Sequence, residues 1–600
     1  MYIIEKIKLH IRNKIRKIVK KEYSTEFSRL VDPFSVQGPE DIDFFSLQQP
    51  PNLEFGDFSC QTFAIAADVH KSPIEIAKNI ANKIKPDGII KSVVAAGPYV
   101  NFILQEKKLS EILGKINGQY GSLKLGRGKK LMIEFAHPNT HKAFHIGHLR
   151  NIITGEALCR ILGNAGYKII RANYQGDVGL HIAKCLWGIT QMQSEFAKVI
   201  NPPTARAVRR ARNLDERAVF LGKAYAFGSK NYEENEKAKA EIIEINKKIY
   251  AGDKSVKKLY QTTRQWSLQY FAKIYKRVNT KFDRLYFESE TFAPGKKIVT
   301  DGVKKGIFKL SDGAIIFEGG KHGLHDRVFI NSEGNPTYEA KDMALAQLQF
   351  SEYNPEKILH VVSKEQTEYF KVIFKALEQV LPKSKNRETH LPYGWVSLKG
   401  GKMSSRLGNV VLGEFLIEEI KEEIIKIIKD NKSAQVFTNR ADKEKLAEKI
   451  SIAAVKYAFL KNGIDKDISF DINESVSLSG NSGPYLLYTY ARIKSILRKA
   501  KIKNAETHYN VSLQSNEKQI LLKLALFPEI TMQAAEQYDP SVVAKYLFEL
   551  AQSFNDYYHR VPVLKAATGE RQFRLALINA VAVVLQRGVE LLGFETVERM

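Results

Sequence analysis

The stretch from Leu131 to Asn173 constrains the fold most. Leu131-Met-Ile-Glu-Phe135 is apolar enough for a buried parallel strand. A helical pattern runs from about Gly147 to Leu162, Gly163 and Gly166 end it, and Lys168-Ile-Ile-Arg-Ala-Asn173 reads as the next strand. Strand, helix and strand in that order make a βαβ unit, the opening of a doubly wound α/β sheet.

Between the first strand and the helix lies His137-Pro-Asn-Thr-His-Lys-Ala-Phe-His145-Ile-Gly-His148. Anions bind where such a helix begins, because free N–H groups and the helix dipole point there. His145 and His148 are three residues apart and so share a face. Histidine can donate to phosphate oxygens and stabilise charge that develops at an α-phosphorus. Gly147 leaves room for a nucleotide to approach the backbone, and Lys142 adds a cation just upstream. The plainer alternative is a loop with ordinary histidines; placement at a strand-to-helix turn favours phosphate chemistry.

About 250 residues later comes Lys402-Met-Ser-Ser-Arg406, after Gly400-Gly401 and before Gly408. Lys402 can pair with a leaving pyrophosphate, and Ser404 and Ser405 can donate to phosphate oxygens. A glycine-flanked loop that tightens as charge builds lowers a barrier by differential binding. By chance this pentapeptide occurs on the order of once in several thousand chains of this length, which leaves little weight to a solvated basic turn.

With 600 residues the chain has room for several cores. Residues 1–115 read as a small α+β unit. An amphipathic first helix, better read as folded than as a presequence, precedes Phe55-Gly56-Asp57-Phe58. A helix begins near Ser72-Pro73, and strand-like runs follow at Ile90-Lys-Ser-Val-Val-Ala and Tyr99-Val-Asn-Phe-Ile-Leu. After a glycine-rich connector, 125–190 is expected to hold the first half of the sheet, 190–280 a charged helical insertion and 281–415 the second half. The sheet is expected to resume with Ala314-Ile-Ile-Phe317, Arg327-Val-Phe-Ile330 and Ile358-Leu-His-Val-Val362, and 430–600 reads as all-α. A net charge of +26 favours a polyanionic partner over solvated basic helix faces. No apolar run approaches the ~20 residues of a membrane span. Cys60, Cys159 and Cys185 lie far apart, arguing against a disulfide framework or cysteine zinc site and for a reducing compartment.

The two loops in this order resemble those of class I aminoacyl-tRNA synthetases, and the whole chain resembles arginyl-tRNA synthetases. Beyond the loops the likeness rests on Ile133-Glu-Phe-Ala-His-Pro-Asn139, Arg171-Ala-Asn-Tyr-Gln-Gly-Asp-Val-Gly179 and Pro336-Thr-Tyr-Glu-Ala-Lys-Asp342. It also rests on Gly480-Asn-Ser-Gly-Pro-Tyr-Leu-Leu-Tyr-Thr-Tyr-Ala-Arg-Ile493 and on the ending from Gly588 to Met600. It implies a Rossmann-like catalytic sheet with a helical insertion, a small N-terminal domain that reads the tRNA elbow, and an all-helical anticodon-binding domain.

It further implies activation of L-arginine by ATP with Mg2+, then transfer to the terminal adenosine of tRNA(Arg), by a cytoplasmic monomer whose activation step needs bound tRNA. Lys142, His145, His148, Lys402, Ser404 and Ser405 are the implied catalytic groups, with Gly147 and Met403 joining the ATP site. Glu134, Asn139, Tyr338, Asp342 and Gln366 are implied to line the arginine pocket. A guanidinium offers five donors in a fixed fork, and two carboxylates suit it as they suit no lysine. For tRNA the likeness points to Asn101, Tyr485, Tyr488, Arg492 and Met600. Aromatics can stack splayed bases, although at least one of these tyrosines is expected to serve helix packing instead. Many relatives lack the lysine of the second loop and use the upstream one; this chain has both, and the expectation favours Lys402. The competing readings are a class I synthetase for another amino acid, such as cysteine, and a catalytically silent tRNA-binding relative.

Overall fold

A five-stranded parallel sheet forms the centre of the computed structural model, which describes residues 2–23, 45–200, 207–400, 406–407, 410–430, 439–500 and 512–600. Its strands are β1 (Lys130–Glu134), β2 (Lys168–Gln175), β3 (Arg284–Phe287), β4 (Lys357–Ser363) and β5 (Glu388–Tyr393). They are ordered β5-β4-β1-β2-β3, and every neighbouring pair is parallel. The order reverses between β1 and β4, which places the ligand crevice of such a sheet at their carboxyl ends. Leu131, Met132 and Ile133 are all buried, the unbroken apolar run a strand covered on both faces requires. Helix α1 (Ile146–Asn164) crosses from β1 to β2. It lies so close that a Cβ at Gly155 would sit 2.2 Å from the Phe135 ring.

Two runs expected in this sheet are not part of it. Ala314–Phe317 and Arg327–Ile330 join Lys309–Ser311 in a separate three-stranded antiparallel sheet. The reason is connection length. Asp312 and Gly313 both have positive φ and make a tight hairpin, and a turn of that size can join only antiparallel neighbours, whereas a parallel pair needs a long crossover. The central sheet instead continues through β3 and β5, while Ile358–Val362 lies within β4 as expected. Helices α2 (Tyr338–Glu352) and α3 (Thr367–Val380) flank β4 in sequence.

Five helices, Leu180–Gln191, Gln193–Ile200, Ala207–Glu234, Glu236–Ala251 and Lys254–Arg277, stand between β2 and β3. They share a core of their own that includes Ile182, Leu186, Phe220, Ile242 and Trp266. At the N-terminus, helix Ile3–Tyr23 buries Ile4, Ile7, Ile11, Ile15 and Val19, one stripe at helical spacing. Four antiparallel strands follow, in the order Leu47–Gln48, Phe58–Gln61, Tyr99–Leu104, Ile90–Ala96.

Beyond β5, strand β6 (Val396–Leu398) leaves the central sheet and pairs in parallel with β7 (Ile468–Phe470). Helices α4 (Arg440–Leu460) and α5 (Gly483–Ala500) lie on either side of β7 in sequence, and Ser515–Glu536, Ser541–Arg560 and Thr568–Leu591 complete the C-terminal bundle. Its buried side chains are continuous with those of α1 and of the N-terminal unit. Among the described residues no helix is long and apolar enough to cross a membrane.

Candidate active site

The loop after β1 holds non-glycine residues at positive φ, Ala136 at 87°, His137 at 48° and His141 at 63°, a strain that packing must sustain. Asn151 of α1 helps to do so: its Oδ1 accepts from Ala136 N at 2.5 Å, and its Nδ2 donates to Val361 O at 2.8 Å. His145 then caps α1. Its Nδ1 accepts from Gly147 N at 3.1 Å, and Nδ1 of His148 accepts from His145 N at 3.2 Å. A ring nitrogen that accepts a backbone N–H is unprotonated, so each neutral imidazole carries its proton on Nε2. Burial pushes both histidines down, helped by Lys142, His145 to about 4 and His148 well below the usual range. The result is two neutral donors, stacked with ring centroids 3.7 Å apart. Gly147 serves them as well as any ligand, since a Cβ there would lie 3.0 Å from the His145 ring.

These histidines open onto a cavity of about 630 Å3. Glu134, Asn139, Tyr338, Asp342 and Gln366 line that same cavity, although they come from β1, the loop after it, α2 and the turn after β4. The two carboxylates expected to face a cation are not equivalent. Glu134 is engaged within the protein: His360 Nδ1 lies 3.2 Å from Oε1, and Gln349 donates to Oε2. His360 in turn lies 2.7 Å from Glu388 Oε2. Burial opposes charge on this imidazole, but Glu134 and Glu388 outweigh it and hold His360 at about 10, an imidazolium between two carboxylates. Asp342 is different. Among the described residues it accepts only from the Tyr369 hydroxyl, at 2.7 Å on Oδ2. Burial pushes its carboxyl up to about 7 against that hydrogen bond, with Glu134 adding to the rise. Asp342 thus has fewer internal partners than Glu134, which belongs to a Glu-His-Glu chain.

Three comparisons with known proteins bear on what this cavity serves. The family described as tRNA synthetases class I (R), catalytic domain, matches residues 108–472. The arginyl tRNA synthetase N terminal domain matches 5–104 and the DALR anticodon binding domain 486–600. The chain belongs to the arginyl-tRNA synthetase family. Arginine–tRNA ligases of Treponema denticola and Bdellovibrio bacteriovorus are 34% and 31% identical to it, over 92% and 94% of this chain and 94% and 95% of theirs. The arginyl-tRNA synthetase structure from Thermus thermophilus superposes with a TM-score of 0.76 at 25% identity, covering 93% of this chain and 96% of that one. That from Plasmodium falciparum has the same fold, with a TM-score of 0.75 at 21% identity over 98% and 99%.

The remaining candidates are spread over the molecule. Lys142 lines a neighbouring cavity of about 260 Å3 with Asp215, Lys273 and Glu414, its Nζ 5.5 Å from the centre of the Tyr225 ring. Lys402, Met403, Ser404 and Ser405 lie outside the described residues. Tyr485, Tyr488 and Arg492 come together around Asn555. Arg492 donates to Asn555 Oδ1 at 2.9 Å and to the Tyr488 hydroxyl at 2.7 Å, and Asn555 donates to the Tyr485 hydroxyl at 2.9 Å. Tyr485 is buried, Tyr488 half-buried, and Met600 packs against the core. Asn101, buried in strand Tyr99–Leu104, lines a separate cavity with Gln48, Phe55 and Tyr99.

Sequence reasoning missed His137, Gln349, His360, Tyr369 and Glu388, all of which line the main cavity. Only His137 carried a signal, its place in the first loop. The others join the site through tertiary packing.

Proposed function

We propose that the chain activates L-arginine with ATP to arginyl-adenylate and then esterifies the 3′-terminal adenosine of tRNA(Arg). An arginine carboxylate oxygen attacks the α-phosphorus, the bond to the bridging oxygen breaks, and pyrophosphate leaves. The Nε2 protons of His145 and His148 are aimed as donors for the phosphate oxygens, where stabilisation grows as charge develops. The observation that carries the substrate choice is Asp342, a half-buried carboxylate with one hydrogen bond among the described residues, in the cavity onto which these donors open. A guanidinium satisfies such a group, and a neutral side chain leaves it unpaired, so discrimination can be large without editing.

ATP use follows from the class I catalytic domain. Among the described residues no three His, Cys, Asp or Glu side chains are grouped to hold a metal ion; in this reading Mg2+ arrives as the counter-ion of the triphosphate. The protein acts as a cytoplasmic monomer.

Arginine-dependent exchange of labelled pyrophosphate into ATP, with and without tRNA, is the test. Exchange with arginine that requires tRNA supports the reading. Exchange with another amino acid alone, or tRNA binding without exchange, overturns it.

A further inference from the structure

Two residues beyond His148, the Arg150 side chain is 1% exposed, yet no carboxylate pairs with it among the described residues. Its guanidinium instead binds four main-chain carbonyls. Nη1 donates to Gly394 O and Trp395 O, both at 2.6 Å, and Nη2 donates to Ile464 O at 3.2 Å and Lys466 O at 2.7 Å. Burial lowers its pKa to about 10, so it remains charged at neutral pH.

Those carbonyls belong to two segments that form one seam. Gly394 N donates to Ile464 O at 3.1 Å, Ile468 N to Trp395 O at 2.8 Å, and Lys399 N to Phe470 O at 2.9 Å. Between them β6 and β7 pair from Val396 with Ile468 to Leu398 with Phe470. The contact is tight enough that a Cβ at Gly394 would lie 2.4 Å from Lys466 O. On the outer side Asp467 Oδ1 accepts from Trp395 N at 2.6 Å and from Lys364 at 2.8 Å. The first segment runs directly, in sequence, into Lys402-Met-Ser-Ser-Arg406; the second joins α4 to α5, where the tRNA candidates lie.

We propose that Arg150 is a positioning residue for adenylate formation, fixing the strand that leads to the second loop against the helix that carries the first. This rests on the activity proposed above. A buried cation held by four dipoles is costly to strip, because each carbonyl it leaves is desolvated and unpaired. The start of α1, the β6 approach and the turn before β7 therefore move as one unit. That matters because the loops act together on one triphosphate, and a misplacement of about 1 Å costs on the order of 10²-fold in rate. Lysine cannot replace the fork, since its three donors diverge from a single nitrogen.

The test is Arg150→Lys in the full chain, assayed by arginine-dependent pyrophosphate exchange with saturating tRNA. The expected result is a fall in kcat of tenfold or more, with KM for arginine within twofold of wild type and tRNA affinity unchanged. A merely structural role would move all three together with Tm, and that pattern overturns the proposal, as does a kcat within threefold of wild type. Asp467→Ala is the second variant, chosen because Asp467 is exposed. It weakens the seam from outside and is expected to lower kcat about threefold with KM for arginine unmoved; an unaltered kcat counts against the proposal. If the wild-type protein gives no exchange with arginine, the functional reading fails and not this one.

Discussion

In the proposed reading Asp342 sets the pH at which this cavity grips the guanidinium. Its carboxyl is held at about 7, against ~3.9 for a solvated aspartate, so near neutral pH about half of the arginine-free protein is protonated there. Only the ionised form pairs with a guanidinium, so binding displaces the proton and affinity rises with pH until Asp342 is fully ionised. No histidine of the cavity competes in that window: His145 lies at about 4, His360 at about 10, and burial pushes His137 and His148 down. The Kd for arginine is expected to fall roughly tenfold from pH 6 to pH 8 and to flatten above that. Calorimetry in buffers of different ionisation enthalpy reads the released proton. Asp342→Asn is expected to abolish that slope along with arginine charging; a variant that kept both would remove Asp342 from the substrate contact. Stability runs the other way. The unfolded chain ionises this carboxyl from about pH 4 and the folded one only near 7, so the stability it lends the arginine-free fold is lost between those values and is gone above pH 7. Asp342→Asn is therefore expected to raise Tm at pH 8, to raise it less at pH 5 and to leave it unchanged only below about pH 4, a site held ready at some expense of stability.

Glycines decide how closely the elements pack. Gly188 lies on helix Leu180–Gln191 and Gly228 on helix Ala207–Glu234; a Cβ at the first would meet Ala224 O at 2.1 Å, and at the second Lys184 O at 1.9 Å. The obstacle is backbone in both cases and cannot rotate away. Gly188→Ala and Gly228→Ala are each expected to cost about 1–3 kcal/mol, read as a lower denaturation midpoint. Gly228→Ala carries a second effect, because Tyr225, one turn away on the same helix, lies under Lys142; a shift of that helix is expected to alter activation kinetics as well as stability. Such crossings explain what sequence reading can and cannot reach. The βαβ opening was legible because three adjacent elements each carried their own periodicity and stop signals. The hairpin around Asp312 and Gly313 did carry a mark, the Asp-Gly turn between Lys309–Ser311 and Ala314–Phe317, but its apolar runs were read as sheet strands without it, while β3 and β5 passed unseen. At the site, the histidine loop announced itself through local spacing. His360 and Glu388 did not, since each is an ordinary strand residue until β1, β4 and β5 align. Arg150 looked like any arginine on a helix.

Over the whole molecule the charge has a division of labour. The main cavity is lined by several carboxylates, so the net +26 must act elsewhere, and an acidic polymer such as tRNA gives it purpose. Phosphate contacts release counterions, so tRNA affinity is expected to fall linearly with salt on a log–log plot, by on the order of 10³ between 50 and 200 mM salt. Stacking is not ionic and leaves that slope alone, which allows the C-terminal candidates to be separated. Tyr488 is half-buried and held by Arg492, whose guanidinium lies 4.7 Å from the ring centre. Tyr488→Ala is expected to weaken tRNA binding by about 1–3 kcal/mol with the salt slope and Tm unchanged. Tyr485 is 9% exposed and bonded through its hydroxyl to Asn555; Tyr485→Ala is expected to lower Tm first and to affect tRNA only through the packing it disturbs. Arg492→Ala should reduce the slope by about one if the guanidinium meets a phosphate, and leave it unchanged if its work is to hold Tyr488 in place. Filter binding over a salt series, run beside thermal melts of the three variants, distinguishes these roles. A Tyr488→Ala variant that lost Tm while keeping tRNA affinity would reverse the assignment of the two tyrosines, because burial would then have misjudged which ring the RNA can reach.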